Sequence, residues 1–395
     1  MSSPLAAGTA LAAVRPEYGA ASLADVMPGV LAALGVAGAA DPLDLAGREL
    51  SDVDRVAVLL VDGLGHHVLP LAARHAPVLA QLATGGLPGS SARAITTGFP
   101  STTPTSLASL GTGAAPGGHG LVGFFLNVPG TDRVLNHIDW SNDPDPLRWQ
   151  PLSTQFDLAA AAGVTAIVAG HPNLAGSGLT TAAYRGGLYV PAARADMLAD
   201  VMLRCLRNPA PAVVYGYVPD VDKAGHLFGV DSPEWTEAIR LVDALLDRLV
   251  SQLPPRSALV VTADHGQLNV PVANRLDLDR DPALSAGVRI VAGEARVRYL
   301  HTVDGARDDV VSAWREVLGD AAWVVTRDEA VAEGWFGPVA EQHLQRIGDV
   351  VVACHADHVV LATLHDPPPV AAMVAFHGSA TELEMRIPLL VARAA

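Results

Sequence analysis

The sequence is poor in basic charge and almost free of lysine. Asp and Glu total 41 residues against 26 Lys and Arg, which gives a formal net charge of -15, and Lys223 is the only lysine. A protein without a basic stripe cannot neutralise a phosphate backbone, so we exclude a nucleic-acid polymer as a partner. An anionic small molecule would need bound divalent cations to supply the positive charge that the chain lacks.

Cysteine spacing and hydropathy exclude further classes of protein. Cys205 and Cys354 are the only cysteines and lie in no metal-ligand spacing, so we predict buried thiols and no disulfide framework. The sequence has no run of about 18 apolar residues, which a membrane span would need. Residues 1–19 lack a basic region and a sustained apolar core, so we predict no secretory signal. These features predict a cytoplasmic protein without a membrane partner. They do not indicate its oligomeric state.

Short, uninterrupted apolar runs predict an α/β fold. Continuous rather than alternating apolar residues are typical of parallel strands buried on both faces, and such runs occupy residues 55–61, 164–169, 212–218, 258–262 and 387–392. Helical patterns separate them, most clearly after Ser232, where Pro233 and Glu234 begin an apolar stripe at helical spacing. Strands that alternate with helices predict a doubly wound, mostly parallel sheet.

The stretch from about Val270 to Gln345 has a different pattern. It contains an alternating strand pattern in ARVRYLH, a helical pattern over 307–318 and a further strand pattern in AAWVVT. We predict that residues 270–345 form a small inserted α+β cap. Residues 1–269 and 346–395 would then form the catalytic core, with the central sheet resuming near Asp349.

Side chains that suit a divalent metal occur in five short clusters. Carboxylates, imidazoles and a hydroxyl are ligands that Zn²⁺ accepts, and two of the carboxylates follow apolar runs, at the edge where open α/β sheets bind ligands. Together the clusters predict a two-metal phosphoryl-transfer site. The predicted ligands are Asp62 in VLLVDGLG, Thr103 in FPSTTPTS, Asp222 and His226 in DKAGH, Asp264 and His265 in TADHG, and His377 in FHGS.

Local chemistry narrows these candidates without deciding all of them. Pro104 favours a helix start that makes Thr103 an N-cap candidate, where a metal-bound hydroxyl would be an activated nucleophile. Thr102 and Thr105 are neighbouring hydroxyls between which local chemistry does not choose. Asp222 and His226 share one face of a helix at i and i+4, although Asp220 is a competing carboxylate. Asp264 and His265 can reach one metal only if the strand before them has ended.

From Asp62 to its C-terminus the sequence resembles the type I phosphodiesterase/nucleotide pyrophosphatase branch of the alkaline phosphatase superfamily. In that family a P-x-x-T stretch ends in the nucleophile, nine residues before a Thr-Gly pair. Pro100 and Thr112 keep both spacings, so the resemblance selects Thr103 as the catalytic residue. The family pattern D-x-x-G-H selects Asp222 over Asp220. The resemblance also implies an alkaline-phosphatase-like fold, with the cap between the DHG motif and the last histidine.

The same resemblance implies the grouping of metal ligands. Two divalent ions, of which zinc is the expected identity, would be bound by the two sets Asp222, His226 and His377, and Asp62, Thr103, Asp264 and His265. The family commonly has an asparagine where this sequence has Phe124, so we predict Phe124 and Asn127 as substrate-binding residues, with Asn136 as an alternative amide. Phe125 and Trp140 are aromatic candidates for contacting a leaving group. We predict that His66, His67, His119 and His171 bind no metal and lie either behind the ligands or on the surface.

These features predict a two-metal hydrolase of phosphodiester or pyrophosphate bonds in small molecules, acting through a covalent phospho-threonine intermediate. A phosphonate hydrolase or a phosphomonoesterase of the same superfamily is the alternative enzyme. A metal-binding pseudoenzyme is the alternative outside catalysis. Sulfatases need a modifiable Cys or Ser where Thr103 lies, and the cofactor-independent phosphoglycerate mutases use serine, so both are disfavoured.

Overall fold

A computed structural model describes residues 13–394, so most of the segment predicted not to be a secretory signal lies outside the described residues. The strands are β1 (Arg55–Val61), β2 (Ser90–Thr96), β3 (Phe125–Asn127), β4 (Val134–Asn136), β5 (Thr165–Gly170), β6 (Leu188–Pro191), β7 (Ala212–Val218), β8 (Ser257–Thr262), β9 (Leu268–Asn269), β10 (Arg275–Asp277), β11 (Val288–Glu294), β12 (Val297–Thr302), β13 (Ala322–Thr326), β14 (Val350–Cys354), β15 (Val359–Leu361), β16 (Ala375–Phe376) and β17 (Arg386–Arg393).

The α-helices are α1 (Val26–Ala33), α2 (Leu69–Ala72), α3 (Pro77–Ala83), α4 (Thr103–Thr112), α5 (Pro116–His119), α6 (Pro146–Trp149), α7 (Gln155–Ala161), α8 (Gly178–Tyr184), α9 (Ala195–Leu206), α10 (Asp220–Phe228), α11 (Pro233–Ser251), α12 (Pro282–Ser285), α13 (Arg307–Leu318), α14 (Arg327–Ala332) and α15 (Glu382–Met385). Both the helix predicted after Ser232 and the helix predicted over 307–318 are therefore present.

Seven strands form the central sheet, in the order β2-β17-β8-β1-β7-β5-β6. Strand β1 lies in the middle and pairs in parallel with β7 on one side and with β8 on the other. All of β1 except its first residue is buried, which explains why its sequence is apolar without interruption. The prediction of a mostly parallel α/β sheet is confirmed.

One predicted strand of this sheet has the opposite direction. Strand β17 covers the predicted run 387–392 but pairs antiparallel with both β2 and β8, so its assignment to the parallel set is wrong. The chain enters β17 from the carboxyl edge of the parallel strands, where His377 lies, and must therefore run back through the sheet. Because β17 is buried almost throughout, its sequence has the same continuous apolar character as that of a parallel strand.

Helix α11 shows how local sequence positions the layers that cover the sheet. The Ser232 side chain accepts a hydrogen bond from the Trp235 backbone N–H at 3.1 Å, and Pro233 is the first helical residue, as expected of an N-terminal cap. Trp235 and the apolar stripe that follows are buried. This face packs against α3, α9 and α10, and α10 contains two of the predicted metal ligands.

A segment that we call the inserted segment, residues 270–374, leaves and rejoins the core between β9 and β16. These two short strands pair antiparallel, with Asn269 opposite Ala375. The inserted segment contains a four-stranded antiparallel sheet in the order β11-β12-β14-β13. It has a hydrophobic core of its own around Trp314, whose indole N–H donates to the Leu284 carbonyl at 3.0 Å.

The expectation that the central sheet resumes near Asp349 is wrong. The strand that begins there, β14, pairs with β12 and β13 and so belongs to the smaller sheet. Its five residues are all buried, and this burial gives β14 the continuous apolar sequence that suggested a central strand. The cap boundaries at 270 and 345 stay a prediction.

Two further expectations concern cysteine and membranes. Cys205 is half-buried, Cys354 is buried, and both thiols are free. Burial raises the pKa of Cys354 to about 11, so this thiol is not an activated nucleophile. Among residues 13–394, no helix is both long and apolar enough to cross a membrane.

Candidate active site

The carboxyl edge of the central sheet brings Asp62 and Asp264 together. Asp62 directly follows β1, and Asp264 lies two residues beyond β8, the neighbouring strand. The Gly63 backbone N–H donates to Asp264 Oδ1 at 3.1 Å, and the Tyr217 hydroxyl donates to Asp62 Oδ2. Within the described residues, Asp62 Oδ1 and Asp264 Oδ2 are buried without a hydrogen-bond partner. Buried carboxylate oxygens of this kind require a cation or a proton.

The imidazole of His265 lies between these carboxylates and the predicted nucleophile. His265 Nε2 is 3.3 Å from Asp264 Oδ2, 3.5 Å from Asp62 Oδ1 and 3.2 Å from Thr103 Oγ1. Because β8 ends at residue 262, the side chains of Asp264 and His265 turn toward the same point. Gly266 permits this turn, since a Cβ there would lie 1.9 Å from the Leu383 carbonyl oxygen.

A second group of ligand-type side chains lies on α10 and beyond β16. His226 Nε2 is 3.2 Å from Asp222 Oδ2 and 3.2 Å from His377 Nε2, and His377 Nε2 is 3.7 Å from Asp222 Oδ1. The Nδ1 atoms of the two histidines contact the backbone carbonyls of Ala375 at 2.8 Å and Ser101 at 3.0 Å. Carbonyl contacts of this kind orient an imidazole so that its Nε2 faces the site.

The two groups form one continuous cluster. The rings of His265 and His377 stack with centroids 3.6 Å apart and an angle of 12° between their planes. Donor atoms of Asp62, Asp264 and His265 lie within 4.8 Å of one another, as do those of Asp222, His265 and His377. These carboxylates and imidazoles, together with the unpartnered oxygens, fit divalent zinc. The structure thus brings all seven predicted ligands to one place.

Charge in this cluster is set by burial and by close neighbours. Burial and the adjacent Asp264 carboxylate raise the pKa of Asp62 well above its usual range, and burial also raises the pKa of Asp264. Burial alone would lower the pKa of His226, but the Asp222 carboxylate outweighs burial and raises that pKa to about 9. Raised pKa values at buried carboxylates are expected of metal ligands, because a cation and a proton compete for the same oxygens.

Thr103 is the first residue of α4, and Thr102 is the N-cap. The prediction that Thr103 caps the helix is therefore wrong by one residue, because Pro104 occupies the second helical position instead of the first. The hydroxyls of the two threonines face different partners. Thr103 Oγ1 contacts His265, whereas Thr102 Oγ1 donates to Glu294 Oε2 at 3.2 Å. The geometry brings Thr103 to the cluster and turns Thr102 toward the inserted segment.

A cavity of about 400 Å³ opens beside Thr103. Its walls include Phe124 and Phe125, whose ring centroids are 4.9 Å apart. Five of the seven predicted metal ligands also line it, namely Asp62, Thr103, Asp222, His226 and His377. Lys223 lines the same cavity and is exposed on α10. A cavity of this size and mixed polarity suits a small molecule with one apolar and one charged part. Phe124 therefore forms part of the wall of this cavity, and its role in substrate binding stays a prediction.

Asn127 is not brought to the cavity. Its amide donates to the backbone carbonyls of Thr131 at 2.8 Å and Arg133 at 3.1 Å, so it closes the turn between β3 and β4. Asn136, the alternative amide, does line the cavity and donates to the Asp139 carboxylate at 2.8 Å. An amide that is already bound to a carboxylate is oriented for further contacts.

The remaining candidates lie outside the cluster. His66 and His171 are exposed, and His67 is half-buried near the Glu382 carboxylate. His119 is buried beside α4, and burial lowers its pKa to about 3, so it is a neutral structural residue. Trp140 is buried in the core.

Three residues that contact the site were not predicted from the sequence. Tyr217 donates to Asp62, Gln267 Nε2 donates to Asp222 Oδ1 at 2.8 Å, and Glu294 accepts from Thr102, the residue before the predicted nucleophile. Gln267 directly follows the DHG motif, and this position was a usable signal. No sequence signal marks Glu294, because it lies in a segment without a motif.

The sheet, and the donor cluster at its carboxyl edge, define an alkaline-phosphatase-like protein. More specifically, the chain belongs to the type I phosphodiesterase / nucleotide pyrophosphatase family, whose model matches residues 56–380. The family resemblance seen in the sequence is therefore confirmed, together with membership of the alkaline phosphatase superfamily.

Individual relatives are similar over different spans. Ectonucleotide pyrophosphatase/phosphodiesterase 2 of Saccharomyces cerevisiae is 29% identical over 194 residues, 44% of this chain and 38% of the yeast protein, so the match spans less than half of that relative. An inactive variant of murine ectonucleotide pyrophosphatase/phosphodiesterase 5 in complex with AMP shares the fold, with a TM-score of 0.66, 18% identity and coverage of 86% of this chain and 88% of that chain. Phosphonoacetate hydrolase from Sinorhizobium meliloti 1021, in complex with phosphonoacetate, has a TM-score of 0.66, 19% identity and coverage of 88% and 91%.

Proposed function

We propose that this protein is a two-metal hydrolase that cleaves phosphodiester or pyrophosphate bonds in small molecules. The observation that carries the proposal is the Thr103 hydroxyl at the start of α4, 3.2 Å from His265 Nε2 and next to the acidic cluster. The family match supports phosphoester chemistry. The AMP and phosphonoacetate in the structural neighbours support a small ligand.

Two zinc ions would be held by two sets of side chains. One set is Asp62, Thr103, Asp264 and His265, and the other is Asp222, His226 and His377. The unpartnered oxygens of Asp62 and Asp264 support the first set, and the converging Nε2 atoms of the two histidines support the second. When bound, the ions supply Lewis acidity that lowers the pKa of the nucleophile and stabilises charge on the leaving oxygen.

The protein's own residues carry out the covalent steps. The Thr103 hydroxyl loses its proton, which the departing oxygen takes up. Thr103 Oγ1 forms a bond to phosphorus while the bond between phosphorus and the leaving oxygen breaks, which gives a phospho-threonine intermediate. Backbone N–H groups in the first turn of α4 lack acceptors within the helix and can hold a phosphoryl oxygen. Water then attacks the phosphorus, releases the phosphoryl product and restores the hydroxyl.

The cavity favours a short substrate with an apolar leaving group. Phe124 and Phe125 offer aromatic faces to a base or a similar ring. Phe124 stands where the family commonly has an oxygen-binding asparagine, so discrimination between ester types should be weak. A net charge of -15 without a basic groove disfavours a polymer. We also propose a cytoplasmic location, which the two free cysteines support and cell fractionation would test.

Phosphonate hydrolysis is the second candidate, and Lys223 favours it. This residue is the only lysine in the chain, and it lines the cavity that contains Thr103. An ammonium group in this position would pair with the carboxylate of a small phosphonate such as phosphonoacetate. Loss of phosphonoacetate turnover in Lys223→Met, with diester turnover retained, would support this candidate.

The test of the substrate class compares three substrates on the zinc-loaded protein. Turnover of bis-p-nitrophenyl phosphate should exceed that of p-nitrophenyl phosphate and phosphonoacetate. If monoester turnover exceeded diester turnover by more than about a hundredfold, near 2.7 kcal/mol, the diesterase proposal would be wrong. Zinc uptake without turnover of any phosphorus ester would instead identify a pseudoenzyme.

The test of the nucleophile is Thr103→Ala. Because the other ligands remain, zinc binding measured by calorimetry should persist, while kcat should fall about a thousandfold or more, near 4 kcal/mol. Thr112→Ala is the matched control, since that hydroxyl donates within the last turn of the same helix, and it should keep normal turnover. Substantial activity in Thr103→Ala would assign the attack to another group.

A further inference from the structure

A carboxyl group from the inserted segment reaches the first turn of the nucleophile helix. Glu294 is the last residue of β11 and lines the cavity that contains Thr103. Glu294 Oε2 accepts a hydrogen bond from Thr102 Oγ1 at 3.2 Å. The side chain directly before the nucleophile is therefore held by a residue from outside the central sheet and its helices.

This contact changes the usual role of an N-cap threonine. Such a residue normally accepts a hydrogen bond from a backbone N–H in the first helical turn, but the Thr102 side chain makes no capping hydrogen bond. Pro104, the second helical residue, has no N–H to donate. Because Thr102 is turned to Glu294, the N–H of Thr105 at the third position is left for an incoming group.

Glu294 also packs on the chain that follows His377. A Cβ at Gly378 would lie 3.0 Å from the Glu294 carboxyl carbon, and Gly378 has φ of +131°, so a larger residue there would have a strained backbone and would press on this carboxyl group. The Gly378 carbonyl accepts from the Ser101 N–H at 3.0 Å. The Glu294 carboxyl group thus contacts both the segment before Thr103 and the segment after His377. These two segments are also hydrogen-bonded to each other.

We propose that Glu294 is a positioning residue, which holds Thr102 and packs on Gly378 so that the Thr103 hydroxyl is aligned for attack on phosphorus. The inference rests on the proposed function, because alignment matters only if Thr103 is the nucleophile. Burial raises the pKa of Glu294 to about 8.

A double-mutant cycle on the zinc-loaded full-length protein tests the proposal. Glu294→Ala and Thr102→Val should each lower kcat about tenfold with KM changed less than about threefold. The double variant should fall no more than about threefold below either single variant, because both changes remove one interaction. Glu294→Gln should keep most of the activity, since its amide oxygen can accept the same hydrogen bond. A purely structural role would not give this rescue.

The controls separate the proposal from loss of folding and from the proposed function. Glu316→Ala removes an exposed carboxylate on α13 of the inserted segment and should leave kcat unchanged. Thr102→Val is nearly isosteric, so it tests the contact even if Glu294→Ala does not fold. Independent, multiplicative effects of the two changes, or a Glu294→Gln variant as slow as Glu294→Ala, would overturn the positioning role. A wild-type protein without turnover would refute the proposed function instead.

Discussion

Replacement of Asp264 by asparagine should change stability in opposite directions in the metal-free and the zinc-loaded protein. Asp264 is fully buried. Its Oδ1 accepts from the backbone N–H groups of Gly63 and His265, each at 3.1 Å, and an asparagine oxygen can accept both. Its Oδ2 is buried without a hydrogen-bond partner among the described residues. Without metal the substitution removes a poorly compensated buried charge, and with metal it removes a proposed ligand.

The expected size follows from this environment. A buried acceptor left without its hydrogen-bond partner costs on the order of 1–3 kcal/mol. An unfolding entropy of about 2.1 cal/mol/K per residue over 395 residues gives about 0.8 kcal/mol/K, so metal-free Asp264→Asn should melt about 1–4 °C above the wild type. Zinc at about a thousand times its Kd stabilises the folded protein by about 4.1 kcal/mol per site. This free energy corresponds to a rise in melting temperature of about 5 °C, most of which the variant should lose.

Thermal unfolding in chelator and in excess zinc measures both effects. Asp243→Ala is the matched control, because Asp243 lies on α11 and is not one of the predicted ligands. Its carboxylate accepts a hydrogen bond from the Leu79 backbone N–H at 2.8 Å. The Asp243→Ala variant should lower the melting temperature equally in both conditions. If Asp264→Asn also lowered the melting temperature equally in both, the argument that these carboxylates are held for a cation would be refuted.

Two further predictions concern packing around the site. Arg296 and Glu384 form a buried bidentate pair at 2.9 and 2.7 Å, so Arg296→Met should lower the free energy of unfolding by about 3–5 kcal/mol, and Arg296→Met/Glu384→Leu by clearly less, as measured by denaturant titration. Gly266→Ala should lower both kcat and the melting temperature because its Cβ would meet the Leu383 carbonyl, whereas Gly118→Ala, with 3.8 Å to its nearest neighbour, should change neither.

The donor positions could be predicted from sequence where a short-range rule fixes them. Asp62 and Asp264 follow neighbouring strands, and parallel strands end at a common edge. Asp222 and His226 are one helical turn apart, so an i, i+4 spacing suffices to place them on one face. His377 obeys no such rule, and its place in the cluster depends on how the chain returns from a long insertion.

The errors in strand assignment have one physical origin, which is pairing between distant segments. The apolar run of β14 is equally compatible with the central sheet and with the smaller sheet, because both bury a strand on two faces. The apolar run of β17 likewise does not reveal the direction of the strand, because a buried strand is apolar whether it pairs parallel or antiparallel. Asn127 was expected at the site from its distance along the chain, but the tight β3–β4 turn consumes its amide. The Glu294 contact spans 192 residues, and no local pattern encodes it.

The pairing of β9 with β16 means that the inserted segment departs and returns at one point of the core. Segments with adjacent ends are readily exchanged between homologous proteins, since the joining chain closes at low entropic cost. Exchange is restricted here by the hairpin turn at 294–297, because its Glu294 contacts Thr102 at the start of α4 and its Arg296 pairs with Glu384. For full activity, a transplanted segment would therefore need a side chain that accepts the Thr102 hydrogen bond and, two positions later in that turn, an arginine that pairs with Glu384. This short pattern would identify homologues whose segments are interchangeable.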